Sequence, residues 1–197
     1  MVLSCHLRWH VCCDGRHVLP EASHKPTKNM ITNLEQLYYN QIRDLYSAET
    51  QLLGMLPQMA AHATCRELRD AFTDRLQETH THCARLGEIS ERHGIVHDSV
   101  ACEAMKGLLL ETKKHLTETV PGDVRDAVLI ASGNRIEHYE IAGYGVAKAF
   151  ASCLGFGEDA DLLDVTLQEE GEADAAITRI ATGGIFRAGV NHAASLV

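Results

Sequence analysis

Residues 123–155 read DVRDAVLIASGNRIEHYEIAGYGVAKAFASCLG and set the pattern for most of the chain. Their apolar residues recur at the three- and four-residue intervals of a helical face, without the alternation that is typical of a strand. The segment begins near Asp123, and Gly155 is a typical helix stop. We therefore predict one long helix, with Glu137 and Glu140 near its middle.

The same helical spacing continues through the chain from Asn33 onward. Asn33 with Gln36, and Thr64 with Glu67, stand at the spacing of capping boxes, which predicts a helix start at both places. A shorter apolar pattern ends before a Pro-Gly pair, and the last one ends at a Gly-Gly pair. The predicted helices cover residues 33–61, 64–94, 99–117, 123–155 and 158–182.

The lengths of the connections indicate how these helices pack. Tight turns join the first helix to the second and the fourth to the fifth, which predicts two antiparallel hairpins. The 28 residues from Ile95 to Gly122 separate the hairpins, and they are long enough to cross the bundle. The expected fold is all-α, a ferritin-like four-helix bundle with one long crossover that carries a short fifth helix.

Composition limits the classes of function. A length of 197 residues suits a single domain. The formal net charge of −9 has the wrong sign for a protein that binds nucleic acid electrostatically. No apolar run approaches the ~18 residues that indicate a membrane span, so we predict neither nucleic acid nor membrane as a partner. The 7 cysteines are odd in number and irregular in spacing, which favours a reducing compartment over a disulfide framework.

The two ends of the chain differ from the helical body. Residues 1–29 show no sustained helical or strand period and no apolar core of a secretory signal. We interpret them as a disordered or non-native extension, with Met30 as the expected true start. Cysteines and histidines cluster there without a CxxC pair, which makes a zinc site a poor interpretation. We expect residues 30–184 to form the bundle and residues 185–197 to form a C-terminal tail or dimer contact.

Four glutamates come to the same height when the predicted hairpins are folded. Glu49 precedes the first turn by 14 residues and Glu78 follows it by 15. Glu140 and Glu170 each lie 15 residues from the second turn. At 1.5 Å per residue, both pairs would be about 22 Å from their turns. The sequence therefore predicts one layer of carboxylates in the middle of the bundle.

Three of these glutamates have a further candidate ligand three or four residues away, where side chains on one helix face meet. Buried carboxylates at one level repel each other unless a cation compensates them, so we expect a metal ion there. Carboxylates with one or two imidazoles suit iron or manganese better than zinc. The expected centre is a pair of metal ions bridged by glutamates. The further ligands are His82 beside Glu78, Glu137 beside Glu140, and Asp174 beside Glu170.

Each candidate also has an ordinary structural interpretation. A glutamate on a helix is usually solvated, and Glu78 with His82 could form an exposed pair at i and i+4. The two glutamates of the EHYE run cannot both point at one spot, so one of them would be a more distant or mobile ligand. On the fifth helix, Glu169 competes with Glu170 for the inward position.

Four runs of residues form a pattern that a known family shares. Together they resemble the YciE/YciF family of ferritin-like stress proteins, over about residues 30–182. The resemblance implies a cytoplasmic bacterial stress protein that forms dimers, holds a dinuclear iron centre and has a ferroxidase-like activity. The four runs are DLYSAE at 44–49, ETxxH at 78–82, EHYEIAGY at 137–144 and TLxEExxxD at 166–174.

The same resemblance implies a set of metal ligands. Ferritin-like centres commonly carry Glu-x-x-His on two helices, whereas here the histidine stands at i+4 on the second helix. On the fifth helix an aspartate takes the comparable position. The implied ligands are Glu49, Glu78, His82, Glu140 and Glu170, with Glu137 and Asp174 as further ligands.

Two hypotheses about function follow. The first is an oxidoreductase that takes Fe(II) and oxygen or hydrogen peroxide as small-molecule substrates. Tyr46 and Tyr144 would lie one turn from ligands, where they could donate hydrogen bonds or act as radical sinks, or else simply pack. The second hypothesis is a non-enzymatic helical stress protein with a structural metal site or none. A storage cage is a third hypothesis, but nothing in the sequence indicates the self-complementary surfaces that a cage requires.

Overall fold

The computed structural model of the protein describes residues 30–97, 101–184 and 187–197. The predicted N-terminal extension, residues 1–29, lies outside the described residues. Thr32–Val197 form one compact unit. Its elements are α1 (Leu34–His62), α2 (Arg66–His93), α3 (Glu103–Glu118), α4 (Asp123–Leu154), α5 (Gly157–Thr182), β1 (Gly183–Gly184), β2 (Arg187–Ala188) and α6 (Val190–Ala194).

The four long helices pack as two hairpins, α1 with α2 and α4 with α5. Contacts of α1 with α4 and of α2 with α5 close the bundle, and α3 lies in the crossover against α1 and α4. The predicted all-α four-helix bundle with a long crossover is therefore confirmed. Among the described helices, none combines the length and the apolar character that crossing a membrane requires.

Most helix ends form where the sequence predicts them. The side chain of Asn33 accepts a hydrogen bond from the backbone N–H of Gln36 at 2.8 Å and so caps α1. Helices α2 and α4 end at Gly94 and Gly155, whose φ angles of 62° and 78° lie in the left-handed region. Only glycine adopts that region without a steric penalty, so these two residues define the ends of the hairpin helices.

The start of α2 differs from the prediction. Its N-cap is Cys65 rather than Thr64, and no side chain of the helix itself makes the cap hydrogen bond. Instead Asp126, a fully buried residue of α4, accepts from the backbone N–H groups of Thr64 and Cys65 at 2.8 and 2.7 Å. The prediction that Thr64 is the N-cap is wrong, and a carboxylate from another helix accepts the hydrogen bonds of this turn instead.

Asp126 gives a first testable prediction. We expect Asp126→Asn to lower the free energy of unfolding by roughly 1–2 kcal/mol, because the amide keeps one acceptor oxygen and loses the other. Urea unfolding followed by circular dichroism measures the change. Asp123→Asn is the matched control, since Asp123 is exposed in the same first turn of α4. Equal stability of the two variants would show that Asp126 does not support the turn.

The crossover helix is attached to the bundle through its N-cap residue. Cys102 is buried, and its Sγ lies 2.9 Å from the hydroxyl of Tyr139 and 3.2 Å from Asp44. Tyr139 donates to the same carboxylate at 2.6 Å, and the backbone N–H of Cys102 donates to Ser47 at 2.9 Å. The helix starts at Glu103, later than the predicted residue 99, and ends at Glu118.

The segment predicted as a C-terminal tail has its own secondary structure. Strands β1 and β2 pair antiparallel, with Gly183 opposite Ala188, and α6 follows them. Helix α6 contacts α4 and α5, and Val190 is buried among the residues of the core. This end of the chain therefore covers the bundle because it has an apolar residue to bury there.

Two apolar clusters fill the bundle. One lies toward the α1–α2 turn and contains Met59 and Phe72 among its buried residues. The other lies toward the α4–α5 turn and contains Ile42, Leu86 and Leu163. Along the long helices, the residues between these two clusters include buried glutamates, an arginine and a histidine. This polar layer is where the candidate site lies.

Candidate metal centre

Four glutamates from three helices are buried in the polar layer. Glu49 comes from α1, Glu137 and Glu140 come from α4, and Glu170 comes from α5. None of them is more than 2% exposed. Each sits on the inward stripe of its helix, between apolar residues that fill the clusters above and below. Helical spacing places each carboxylate on the inward face of its helix, and the packing of the helices brings the four together.

The second helix contributes two basic side chains, Arg75 and His82, which are also buried. Arg75 Nε donates to Glu137 at 3.1 Å, and its Nη2 donates to Glu140 at 2.9 Å and to Glu170. One guanidinium therefore binds three of the four glutamates. It supplies inside the layer part of the positive charge that the sequence led us to assign to a metal ion.

His82 lies on the other side of Glu170. Its Nδ1 is 3.1 Å from Glu170 and 3.3 Å from Glu49, and its Nε2 is 2.9 Å from Glu169. Tyr144 donates a hydrogen bond of 2.6 Å to Glu49 and completes this half of the layer. Glu170 thus divides its oxygens, with Oε1 toward His82 and Oε2 toward Arg75.

The protonation of the layer follows from burial and from these contacts. Burial raises the pKa of Glu137 and of Glu140 well above the ordinary value. Burial also opposes the ionisation of Glu170, but Arg75 and His82 outweigh it and hold the pKa of Glu170 below its ordinary value. Burial disfavours the charged form of His82, yet hydrogen bonds to Glu170 and Glu49 raise its pKa to about 9. Two cations and bound protons therefore offset the carboxylates.

These shifts predict the pH dependence of the stability of the metal-free protein. The stabilisation from protonated His82 is complete below its ordinary pKa of 6.5 and is lost as the pH rises toward about 9. Glu137 and Glu140 also lower the stability as the pH rises above the ordinary carboxyl range, because ionising a buried carboxyl group is unfavourable. The contribution of Glu170, whose pKa is lowered, is instead lost in acid, below the ordinary carboxyl range.

We therefore expect greatest stability near about pH 4.5, a decline as the pH rises above it, and a further loss on the order of 3 kcal/mol from His82 alone between pH 6.5 and about 9. Urea unfolding in the presence of a chelator at several pH values measures this. His82→Gln should flatten the curve between pH 6.5 and 9. A wild-type protein that is as stable at pH 9 as at pH 6 contradicts the prediction.

The polar layer offers donors that suit a metal pair. Glu49, His82 and Glu170 form one group, and Glu137, Glu140 and Glu170 form another. Within each group, one donor atom per residue lies within 4.8 Å of the others. Among the described residues, one oxygen each of Glu49, Glu137 and Glu140 is buried without a hydrogen-bond partner. These unsatisfied oxygens, with one imidazole and a glutamate common to both groups, fit a dinuclear site for iron or manganese.

The structure brings some of the predicted site residues together and places others elsewhere. Glu78 is 44% exposed, and its carboxylate lies 3.8 Å from Nη1 of Arg75 at the edge of the layer. Asp174 is 22% exposed and lies 3.6 Å from His138. Tyr46 stacks on His97 with ring centroids 3.9 Å apart. The predicted residues that the structure brings into contact in the layer are Glu49, His82, Glu137, Glu140, Glu170 and Tyr144.

The position of Glu78 follows from the phase of α2. The buried residues of α2 are spaced alternately by four and three residues and form an inward stripe, which passes through Arg75, Thr79 and His82. Glu78 precedes Thr79 by one residue, or about 100° around the helix, and so faces outward. Matching residues by height along the hairpin does not determine which way each one faces.

Sequence reasoning missed Arg75, and it considered Glu169 only as an alternative to Glu170. Arg75 lies on the same stripe as Phe72 and His82, so the helical period could have placed it inside the bundle. Glu169 binds His82 and forms an ion pair with Arg85, although it is one residue from the inward position. No local pattern marks that contact, because it joins residues of α2 and α5 that are far apart in the chain.

The family model of a domain of unknown function, DUF892, matches residues 33–190. Protein YciF of Escherichia coli K12 is 36% identical over 166 residues, which cover 84% of this chain and 99% of YciF. The crystal structure of the E. coli stress protein YciF superposes with a TM-score of 0.72 and 36% identity, covering 75% of this chain and 94% of that one.

A second solved structure is similar to the same extent. YcfI of Rhodopseudomonas palustris, described as a proposed structural protein, is 34% identical with a TM-score of 0.75. The match covers 79% of this chain and 99% of that one. The family expectation from the sequence is confirmed: this chain belongs to the YciF-like family of DUF892 proteins.

Proposed function

We propose that this YciF-like stress protein holds a dinuclear metal centre in its polar layer and oxidises Fe(II) with oxygen or hydrogen peroxide. One observation carries the proposal: five candidate ligands from four helices are buried together, and Glu170 belongs to both groups. Burying so many carboxylates costs stability unless cations bind them. A metal ion is the cation that these donors suit best.

Each residue of the layer has a role in this proposal. Glu49 and His82 would hold one ion, Glu137 and Glu140 would hold the other, and Glu170 would lie between the two. When bound, the metal pair supplies reversible one-electron redox chemistry. Tyr144 keeps Glu49 oriented through its 2.6 Å hydrogen bond. The apolar clusters on both sides exclude water and keep the electrostatic interactions in the layer strong.

The protein's own residues also determine how protons move during loading. Glu137 and Glu140 have a raised pKa because they are buried, so each carboxyl group would release its proton when a metal cation binds it.

The proposal also includes the oligomeric state and the location of the protein. We expect a homodimer, which light scattering tests, and a cytoplasmic location, which cell fractionation tests.

The deciding experiment measures metal and turnover together. Protein made in iron-supplemented medium is analysed for metal content, then loaded with Fe(II) without oxygen and exposed to oxygen or peroxide. About two irons per chain and accelerated Fe(II) oxidation are expected, with both lost in Glu140→Ala. Glu158→Ala is the matched control, because Glu158 is 85% exposed at the start of α5. A folded wild-type chain that stays free of metal and leaves the oxidation rate unchanged refutes the proposal.

A second candidate function is a non-enzymatic structural role in stress. The observation that favours it is Arg75, whose guanidinium binds three of the glutamates and offsets their charge without a metal. YcfI of R. palustris is itself described as a proposed structural protein. The same experiment separates the two candidates, since a structural role requires neither bound iron nor turnover.

A further inference from the structure

Arg75 stands between the polar layer and a cleft on the surface. The cleft lies between α2 and α5, has a volume of about 430 Å³ and includes Arg75 in its lining. Arg75 itself is only 2% exposed, whereas Glu78 on the same side of α2 is 44% exposed. The carboxylates that line the cleft are those of Glu67, Asp70, Asp74, Glu78 and Glu172, and Arg179 lines it as well. Asp70 already pairs with Arg66 at 3.6 Å. Acidic groups therefore lie on both sides of this one guanidinium.

Arg75 binds the carboxylates that one of the two proposed metal ions would need. Its three buried partners are Glu137, Glu140 and Glu170, the same three residues that form the second ligand group. Glu137 and Glu140 each keep one oxygen without a hydrogen-bond partner. An ion bound to those oxygens would lie beside the guanidinium, and two positive charges repel each other strongly in a buried layer. The other group, Glu49 with His82 and Glu170, meets Arg75 at two residues. Glu170 turns its other oxygen toward His82, and Nδ1 of His82 lies 3.2 Å from Nη1 of Arg75.

An arginine cannot make room by losing its proton, because its guanidinium stays charged at any physiological pH. It has to move, and a buried cation that moves without a partner carries a large penalty. Glu78 provides that partner, since its carboxylate already lies 3.8 Å from Nη1 of Arg75. The cleft supplies the space and further carboxylates. Within the layer, Nη1 also lies 3.2 Å from Nδ1 of His82, which places two basic groups side by side.

We propose that Arg75 is a displaceable counter-ion, which swings into the cleft between α2 and α5 when a divalent metal ion binds Glu137, Glu140 and Glu170. This inference rests on the proposed function and specifies how the site is loaded. The Glu49–His82–Glu170 group fills first, because Arg75 donates hydrogen bonds to only one of its carboxylates but to all three of the second group. The second ion binds more weakly, since it has to displace the guanidinium.

The Nε–H group of Arg75 reports the displacement directly. It is buried and donates to Glu137 at 3.1 Å, so its NMR signal should exchange slowly with water in the metal-free protein. The signal is assigned with Arg75→Lys and followed during titration with Zn²⁺, a redox-inactive and diamagnetic probe. We expect the signal to persist through the first equivalent and to become exchange-broadened with the second. A signal that stays protected after calorimetry shows two bound ions overturns the displacement and leaves the metal site standing.

Calorimetry of Arg75→Met with Zn²⁺ is the second measurement. Removing the competing cation should tighten the second binding step at least tenfold, while circular dichroism checks that the variant folds. Arg92→Met is the matched control, because Arg92 is also on α2 and pairs with the buried carboxylate Asp159 of α5. If Arg75→Met does not fold, Arg75→Lys replaces it, because the shorter side chain should give a smaller change in the same direction.

Each result has one meaning. Two ions bound by both proteins, with tighter second binding in Arg75→Met, support displacement. One ion bound by the wild type and two by the variant overturn it, because Arg75 then blocks the second site and is not displaced. Weaker second binding in Arg75→Met overturns it, because Arg75 would then be part of the loaded site. If neither protein binds Zn²⁺, both the proposed function and this inference fail.

Discussion

Replacing Glu170 with glutamine is expected to abolish the binding of both metal ions. Glu170 belongs to both ligand groups, and its two oxygens face His82 and Arg75 separately. An amide is a weak metal ligand, and its NH₂ group cannot accept a hydrogen bond from either basic side chain. Losing a residue that merely orients a ligand costs about 10–100-fold in affinity, so losing this shared ligand should cost at least about 100-fold at both sites.

Calorimetry with Zn²⁺ and elemental analysis of the purified variant measure this loss. The control is Glu158→Gln, since Glu158 lies on α5 as well and is 85% exposed. Circular dichroism shows whether the Glu170→Gln chain is folded under the same conditions. A folded Glu170→Gln protein that binds two ions with wild-type affinity would exclude Glu170 as a bridging ligand.

We expect Asp159→Ala to cause a large loss of stability. Asp159 lies at the end of the bundle that contains the α4–α5 turn. The buried carboxylate of Asp159 accepts hydrogen bonds from Tyr38 at 2.8 Å and from His93 at 2.6 Å, and it pairs with Arg92. These contacts tie α1 and α2 to the first turn of α5. Two hydrogen bonds to a buried charge account for about 3–4 kcal/mol, and the more exposed contact with Arg92 adds little.

Thermal unfolding of Asp159→Ala should show a melting temperature lower by roughly 6–15 °C. Asp161→Ala is the matched control, because Asp161 is exposed two residues further along α5. Tyr38→Phe removes one of the hydrogen bonds alone, and it should reproduce part of the loss. Equal melting temperatures for the Asp159 and Asp161 variants would contradict a supporting role for this cluster.

The helices were predictable because their signals are local. Asn33 caps α1 through the N–H of Gln36, three residues away, and Gly94 and Gly155 end helices through their own backbone conformation. The start of α2 was not predictable in the same way. It depends on Asp126, which is about 60 residues further along the chain and reaches Thr64 and Cys65 only in the folded bundle.

The candidate site was predictable in height but only partly in direction. Counting from the turns placed Glu49, Glu140 and Glu170 at one level, and the structure buries all three together. The same count placed Glu78 with them, although the stripe of α2 turns Arg75 and His82 inward instead. Height depends on the distance from a turn, whereas direction depends on the phase of each helix against its neighbours.

The sequence by itself determined the helices, the two hairpins, the long crossover and the level of the acidic layer, because helical period and glycine stops act over a few residues. The tertiary structure alone decided which cation meets those carboxylates. Arg75 reaches Glu137, Glu140 and Glu170 across 62 to 95 positions of the chain. Such contacts form only when helix packing brings distant charges into one buried layer, where each carboxylate needs a positive partner.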